Sequence, residues 1–248
     1  MLALSLAAPV AIGAPTAPSS AKGEGAVAIP AFSASKPMPG LPPRWRALVP
    51  SGAKPPTFDR VEDAGVTVLR VRSQDAAGAA AYAVHADLAR APILAWRWKV
   101  DRVVERADLA TRAGDDFAAR VYVFFDVPSS ELALGDRIRL ALARLLHGGE
   151  LPSTAICYVW DNRHPAGTAA WSAYTDRVRM VVLESGNERA GQWVEERRDL
   201  AADYRAAFGE SAPLHPVSGV AVGNDTDQTG EAATAWFGDV SIDAGGAR

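Results

Sequence analysis

Val220-Ala221-Val222-Gly223-Asn224-Asp225-Thr226-Asp227-Gln228-Thr229-Gly230, followed by Ala235-Trp236-Phe237-Gly238-Asp239-Val240-Ser241-Ile242, is the stretch that decides the fold. A short apolar run enters an oxygen-rich turn, and an alternating run leaves it. That pattern is two strands joined by a polar loop. Working outward, the same kind of run recurs at residues 65–72, 82–88, 93–100, 117–127, 156–160, 178–183, 193–198 and 217–222, with Gly, Pro and Asp between them. The expectation is a mostly β protein: a β-sandwich or jelly roll of about nine or more antiparallel strands. One or two short helices interrupt the series. Residues 130–146 have helical spacing in their second half and a Gly stop, and residues 199–208 open on Asp199 as a cap and end before Gly209.

Strand alternation assigns side chains to faces. Leu94, Trp96, Trp98 and Val100 share one side of their strand, and Arg97 and Lys99 share the other. Phe117, Ala119, Val121, Val123 and Phe125 form an apolar side, with Arg120 and Tyr122 opposite. If both strands lie in one sheet, Arg97, Arg120 and Tyr122 meet on its face, with Trp160 as an aromatic neighbour. Arg offers a planar donor fork and Tyr an amphipathic edge, which suits a hydroxyl-rich or carboxylated ligand. A solvated face with cross-strand ion pairs weighs equally against that reading.

The chain has 248 residues, 48% hydrophobic and 22% charged, enough for a substantial core. A net charge of −3 without a basic block removes the electrostatic footprint of a nucleic-acid binder. The single cysteine, Cys157, sits in a strand-like run and excludes an intrachain disulfide. Residues 1–21 open with an apolar run of about a dozen residues and then small residues, which reads as the remnant of a signal peptide. That run is shorter than the roughly 20 residues a membrane-spanning helix needs. Residues 22–43 read as a linker or extended lead-in, 44–243 as one sandwich domain and 244–248 as a tail. A periplasmic or secreted location follows from the leader.

Other constellations offer less. Asp115-Asp116 after Gly114 could serve acid/base chemistry, although adjacent strand residues point to opposite sides. Asp225 and Asp227 in the polar loop could hold Ca²⁺, but the loop lacks the spacing of an EF-hand, and Asx-turn chemistry explains it without metal. No zinc-protease, nucleophile-elbow or phosphate-loop motif occurs.

Six ordered segments together resemble one family: 41–46 (LPPRWR), 94–100 (LAWRWKV), 114–123 (GDDFAARVYV), 157–160 (CYVW), 203–209 (DYRAAFG) and 224–230 (NDTDQTG). They are similar to the bacterial domain-of-unknown-function family 3047, over roughly residues 41 to 243. The chain departs from the family at Gly223-Asn224. The resemblance implies a fold and no activity, and the strand pattern is also similar to galactose-binding-like jelly rolls. The functional expectation is an exported sandwich that binds a carbohydrate or other polar small molecule on a sheet face without catalysis, with no cofactor. The alternatives are a glycan hydrolase or lyase using Asp115 or Asp116 with an Arg, and a structural or protein-binding envelope domain.

Overall fold

The computed structural model describes residues 27–128 and 154–245. The leader at residues 1–21 and the helix expected over residues 130–146 lie outside the described residues. Among those described there are fourteen strands, one α-helix and one 3₁₀ turn. One sheet is built from β1 (Met38–Pro39), β3 (Thr57–Asp63), β4 (Val66–Gln74), β13 (Ala232–Phe237), β6 (Ile93–Val100) and β11 (Val194–Asp199), in that order, with β14 (Ser241–Asp243) also pairing β6. The other runs β2 (Arg46–Leu48), β5 (Ala77–Ala86), β12 (Val217–Asp225), β7 (Phe117–Phe125), β8 (Thr154–Asp161), β10 (Thr175–Ser185) and β9 (Ala169–Ser172).

The central orders are β4-β13-β6 in one sheet and β5-β12-β7 in the other. Each chain-consecutive pair (β4 and β5, β6 and β7, β12 and β13) is split between the sheets. The chain therefore winds around the core as paired ribbons, which is jelly-roll winding. Pairing is antiparallel except between β8 and β10, which run parallel because β10 returns between β8 and β9.

Alternation explains the core. The inner side of β6 buries Leu94, Trp96, Trp98 and Val100, which meet Val121, Val123, Tyr158 and Trp160 of the facing sheet. Trp98 and Trp160 have ring centroids 5.8 Å apart, and Trp96 and Tyr158 5.4 Å. A second apolar cluster lies on the outer side of the other sheet. There Cys157, Val159, Met180 and Val182 are covered by Leu109 and Phe117. This cover is the first departure from the alternation argument, which leaves that face to solvent.

The lead-in docks over residues 27–43: the Val27 N–H donates to Ile242 O at 3.0 Å, and Phe32 is buried against Trp45. The run expected as one strand to Ile242 breaks at residues 238–240, giving β13 and β14. Helix α1 (Leu200–Phe208) is capped as expected, with Asp199 Oδ1 accepting from the Ala201 and Ala202 N–H groups at 3.0 Å each. Strand β12 is buried on both faces and comes so close to β5 that a Cβ on Gly223 would lie 2.2 Å from Gly78 O. The alanines of β5 permit the same approach from the other side.

Candidate functional site

Six of the eight residues singled out from sequence gather at one end of β7 and β12. Gly223 pairs with Arg120 and Asp225 with Phe117, so β7 carries one extra residue between them. This bulge turns Phe117 to the side of Arg120, 4.6 Å from the guanidinium, and away from the apolar row predicted for it. Arg120 is only 4% exposed. Its Nε donates to Asp225 Oδ1 at 2.7 Å and its Nη2 lies 2.7 Å from Asp225 Oδ2, a bidentate pair. The Nη1 donates to the Tyr122 hydroxyl at 3.1 Å, and Nη2 donates to Asp115 O and lies 3.3 Å from Asp115 Oδ1.

Burial pushes the Asp225 carboxyl up to about 7; Arg120 opposes this, and Asp115 and Asp116 reinforce it. Burial also drives the Tyr122 hydroxyl well above its ordinary range. Asp116 is fully buried, and its two oxygens accept from the Gln228 and Thr229 N–H groups at 3.3 and 2.6 Å. Oxygens of Asp116, Asp225 and Asp227 lie within 4.8 Å of one another. Both Asp116 oxygens hold the turn and both Asp225 oxygens face Arg120, which leaves Asp227 as the carboxylate with an uncommitted oxygen. This cluster is a pin: it ties the end of β12, the turn at residues 227–230 and the start of β7 to a buried Arg. Asp115 and Asp116 are spent on it rather than arranged as a free acid/base pair.

Two of the predicted residues lie elsewhere. Trp160 is 1% exposed between the sheets, with its indole N–H on Gly186 O at 3.0 Å, so it is a core residue and not an aromatic platform. Arg97 belongs to the other sheet, so it cannot meet Arg120 or Tyr122. It sits on the outer face of β6, stacked 4.5 Å over the half-buried Trp193 ring. Lys99 lies beside Trp193 and Trp236, at 5.1 and 4.7 Å from their centroids, and pairs with Asp63. The Lys99 contact holds the Asp63 carboxyl below its ordinary range.

Next to Arg97 runs an open groove of about 890 Å³ over β6, β11 and β14. Ile93 and Ala95 form its apolar floor, Arg97 and Arg197 supply donors, and Glu195, Asp239 and Ser241 supply acceptors. Gly238 makes room for Arg97, since a Cβ there would lie 2.5 Å from Arg97 Cγ. Both Asp239 oxygens accept from Ser33, Oδ1 from its N–H at 2.9 Å and Oδ2 from its hydroxyl. Sequence reading found Arg97 but missed Glu195, Arg197 and Trp193. Their alternation in residues 193–199 was legible, but which strand they would flank was not.

The fold and this arrangement define a jelly-roll β-sandwich with a charged groove on one sheet and a buried ion-paired pin on the other. The profile of the family described as protein of unknown function DUF3047 matches residues 43–241, and the chain belongs to that family. No curated protein matches the chain. Among solved structures it is similar to the family 30 carbohydrate-binding module of the cellulosomal cellulase Cel9D-Cel44B of Clostridium thermocellum, at 13% identity, covering 87% of this chain and 98% of that one, with a TM-score of 0.38. It is also similar to endoglucanase 3 from family GH12 of Trichoderma harzianum, at 7% identity, 82% and 100% coverage and a TM-score of 0.40. Against the glycoside hydrolase domain of Endo-D from Streptococcus pneumoniae R6 it has 11% identity and a TM-score of 0.34, covering 83% of this chain and spanning 22% of that one. Likeness at these levels carries no functional argument; the fold rests on the strand order itself. Among the described residues no helix is long and apolar enough to cross a membrane.

Proposed function

We propose that this protein binds a carbohydrate or another polar, hydroxyl-bearing small molecule in the groove over β6, β11 and β14, without chemistry at that groove. The observation that carries the reading is the groove itself. Its volume suits a small ligand, and donors and acceptors alternate along a sheet face above an apolar floor. Arg97 is the central donor, because its stacking on Trp193 orients the fork before a ligand arrives. The Arg120 cluster supports the fold and not the ligand, since its donors are already taken. The groove requires no cofactor. The reading includes an extracytoplasmic location, supported by the apolar run within residues 1–21, and cell fractionation checks it.

The test is a glycan array followed by titration calorimetry with Arg97→Ala. Binding by the parent protein and a loss of about tenfold or more in the variant, at unchanged melting temperature, are expected for the loss of a charged hydrogen bond. A blank array, or a variant that binds as the parent does, removes the reading and leaves a partner-binding or structural role.

A further inference from the structure

A second hollow, of about 470 Å³, opens on the outer face of the same sheet as the Arg97 groove. The two lie end to end along shared strands, as alternation shows. On β6 the outward residues Ile93, Ala95 and Arg97 line the groove, Lys99 follows on the same side, and Asp101, next in the series, lines the second hollow. Strand β4 repeats the order. Val66 lines the groove, Val68 and Arg70 follow on that side, and Arg72 and Gln74 line the hollow. At a strand rise of about 3.3 Å per residue, the path from Ile93 to Asp101 is about 26 Å long.

Strand β13 supplies the floor between them. Thr234 stands at the hollow, and Trp236, next on the same side, is registered beside Arg70 on one flank and Lys99 on the other. Gly238 follows, and the stem of Arg97 occupies the place of its missing side chain. The half-buried Trp236 ring therefore stands on the path from hollow to groove. Most charges along that path are paired with one another. Lys99 pairs with Asp63, Arg70 and Arg72 reach Asp59 at 3.0 and 2.9 Å, and Lys54 reaches Asp75 at 2.7 Å. Asp101 Oδ1 accepts from the Thr234 and Arg102 N–H groups at 2.8 and 2.9 Å. Uncommitted donors remain at the two ends. Among the described residues, the Arg97 guanidinium makes no hydrogen bond, and Arg102 spends only Nε and Nη2, both on Ala232 O.

We propose, resting on the groove reading, that groove, Trp236 and second hollow form one continuous cleft, and that its ligand is a linear, uncharged chain of sugar units lying along β4, β13 and β6. Length points to a chain, because a single sugar ring occupies one end and leaves the donors of the other in water. Compensated charge points to a neutral one. A charged chain would have to compete with the Lys99–Asp63 and Arg70–Asp59 pairs, whereas hydroxyls can accept from Arg97 and Arg102 without disturbing them. A ring between two polar ends suits sugars, whose carbon–hydrogen faces pack on an indole while their hydroxyls reach the flanking groups.

The experiment is titration calorimetry of the full chain with disaccharides, tetrasaccharides and hexasaccharides of β-(1,4)-linked glucose, mannose, xylose and N-acetylglucosamine, and with the hexamer of galacturonic acid as a charged counterpart. In at least one neutral series the affinity is expected to rise about tenfold or more from disaccharide to hexasaccharide, and that gain should vanish in Arg102→Ala. Melting curves verify folding. Should Arg102→Ala fail to fold, Thr57→Trp fills the second hollow from an exposed position on β3 and should abolish the gain in the same way. A hexasaccharide bound no more tightly than its disaccharide, a gain that both variants retain, or tighter binding of the galacturonate than of every neutral chain overturns the proposal. Disaccharide binding that Arg97→Ala weakens leaves the groove reading standing after any of these results. No binding in any series overturns the cleft, and the glycan array then decides the groove by itself.

Discussion

Replacing Arg120 with Ala removes the cation from a site where Asp225 is held by two contacts of 2.7 Å and Asp115 by one of 3.3 Å. The carboxylates remain with their burial and without compensation. Breaking a buried pair from one side costs about 3–5 kcal/mol, far more than the pair adds relative to an apolar substitute. For a domain of this size each kcal/mol lowers the melting temperature by about 2–4 °C, so Arg120→Ala should melt roughly 6–20 °C below the parent. Arg120→Lys keeps the charge but loses the fork, and should fall between the two. Adding Asp225→Asn to Arg120→Ala removes one stranded charge, so the double variant should be more stable than the sum of the single losses predicts. Thermal and urea melts at pH 7.5 measure the parent, Arg120→Ala, Arg120→Lys, Asp225→Asn and the double variant. A loss of under about 1 kcal/mol in Arg120→Ala, with additive behaviour in the double variant, would refute the claim that the cluster pins the fold.

Other expectations follow from the same contacts. Gly223→Ala sets a Cβ against the backbone of Gly78 and Ala79 and should cost about 1–3 kcal/mol in urea melts; a neutral result contradicts the close approach of β12 and β5. Burial, then the charge of Glu184, pushes the Glu196 carboxyl up to about 7. Glu196 thus binds its proton more tightly folded than unfolded, so its contribution is full below about pH 4.5 and is lost as pH rises through about 7. Glu196→Gln should therefore flatten the fall in stability between those values, and an unchanged pH slope would count against the buried carboxyl. Because Asp116 and Asp225 already have protein partners, melting with a chelator or with added calcium should move the midpoint by less than about 2 °C, and a larger shift would assign a cation to the Asp227 loop. The Cys157 thiol, buried and pushed up to about 12, should resist thiol reagents until the protein unfolds; labelling of the native state would show that its cover opens.

The apolar alternation of β6 could be read from the chain because each residue's side depends only on its neighbours along the strand. The same holds for Asp199 as a helix cap and for the burial of Cys157 within its apolar run. β3 and β9 were not read as strands. β3 carries Asp, Arg and Glu among few apolar residues, and β9 is too short to show a period. The Phe117 side was misread because one extra residue inverts a face, and bulges leave no signature in hydrophobic pattern. In β10, Val182 pairs with Val159 and Glu184 with Trp160, so Leu183 is an extra residue that changes the side of Glu184 in the same way.

What the sequence by itself determined is therefore local: where most of the strands lie, which side of β6 is apolar, and that a polar turn follows the run of β12, at residues 227–230. Tertiary structure alone decided which strands share a sheet. It sent Arg97 and Arg120 to different sheets, put Trp160 inside, and brought Asp115, Asp116 and Asp225 around one guanidinium. The physical reason is that strand pairing and bulge position depend on partners more than a hundred residues away, as in the Phe117 N–H bond to Asp225 across 108 residues. Such partners are chosen by the summed packing of the whole sandwich, which no single window of the chain contains.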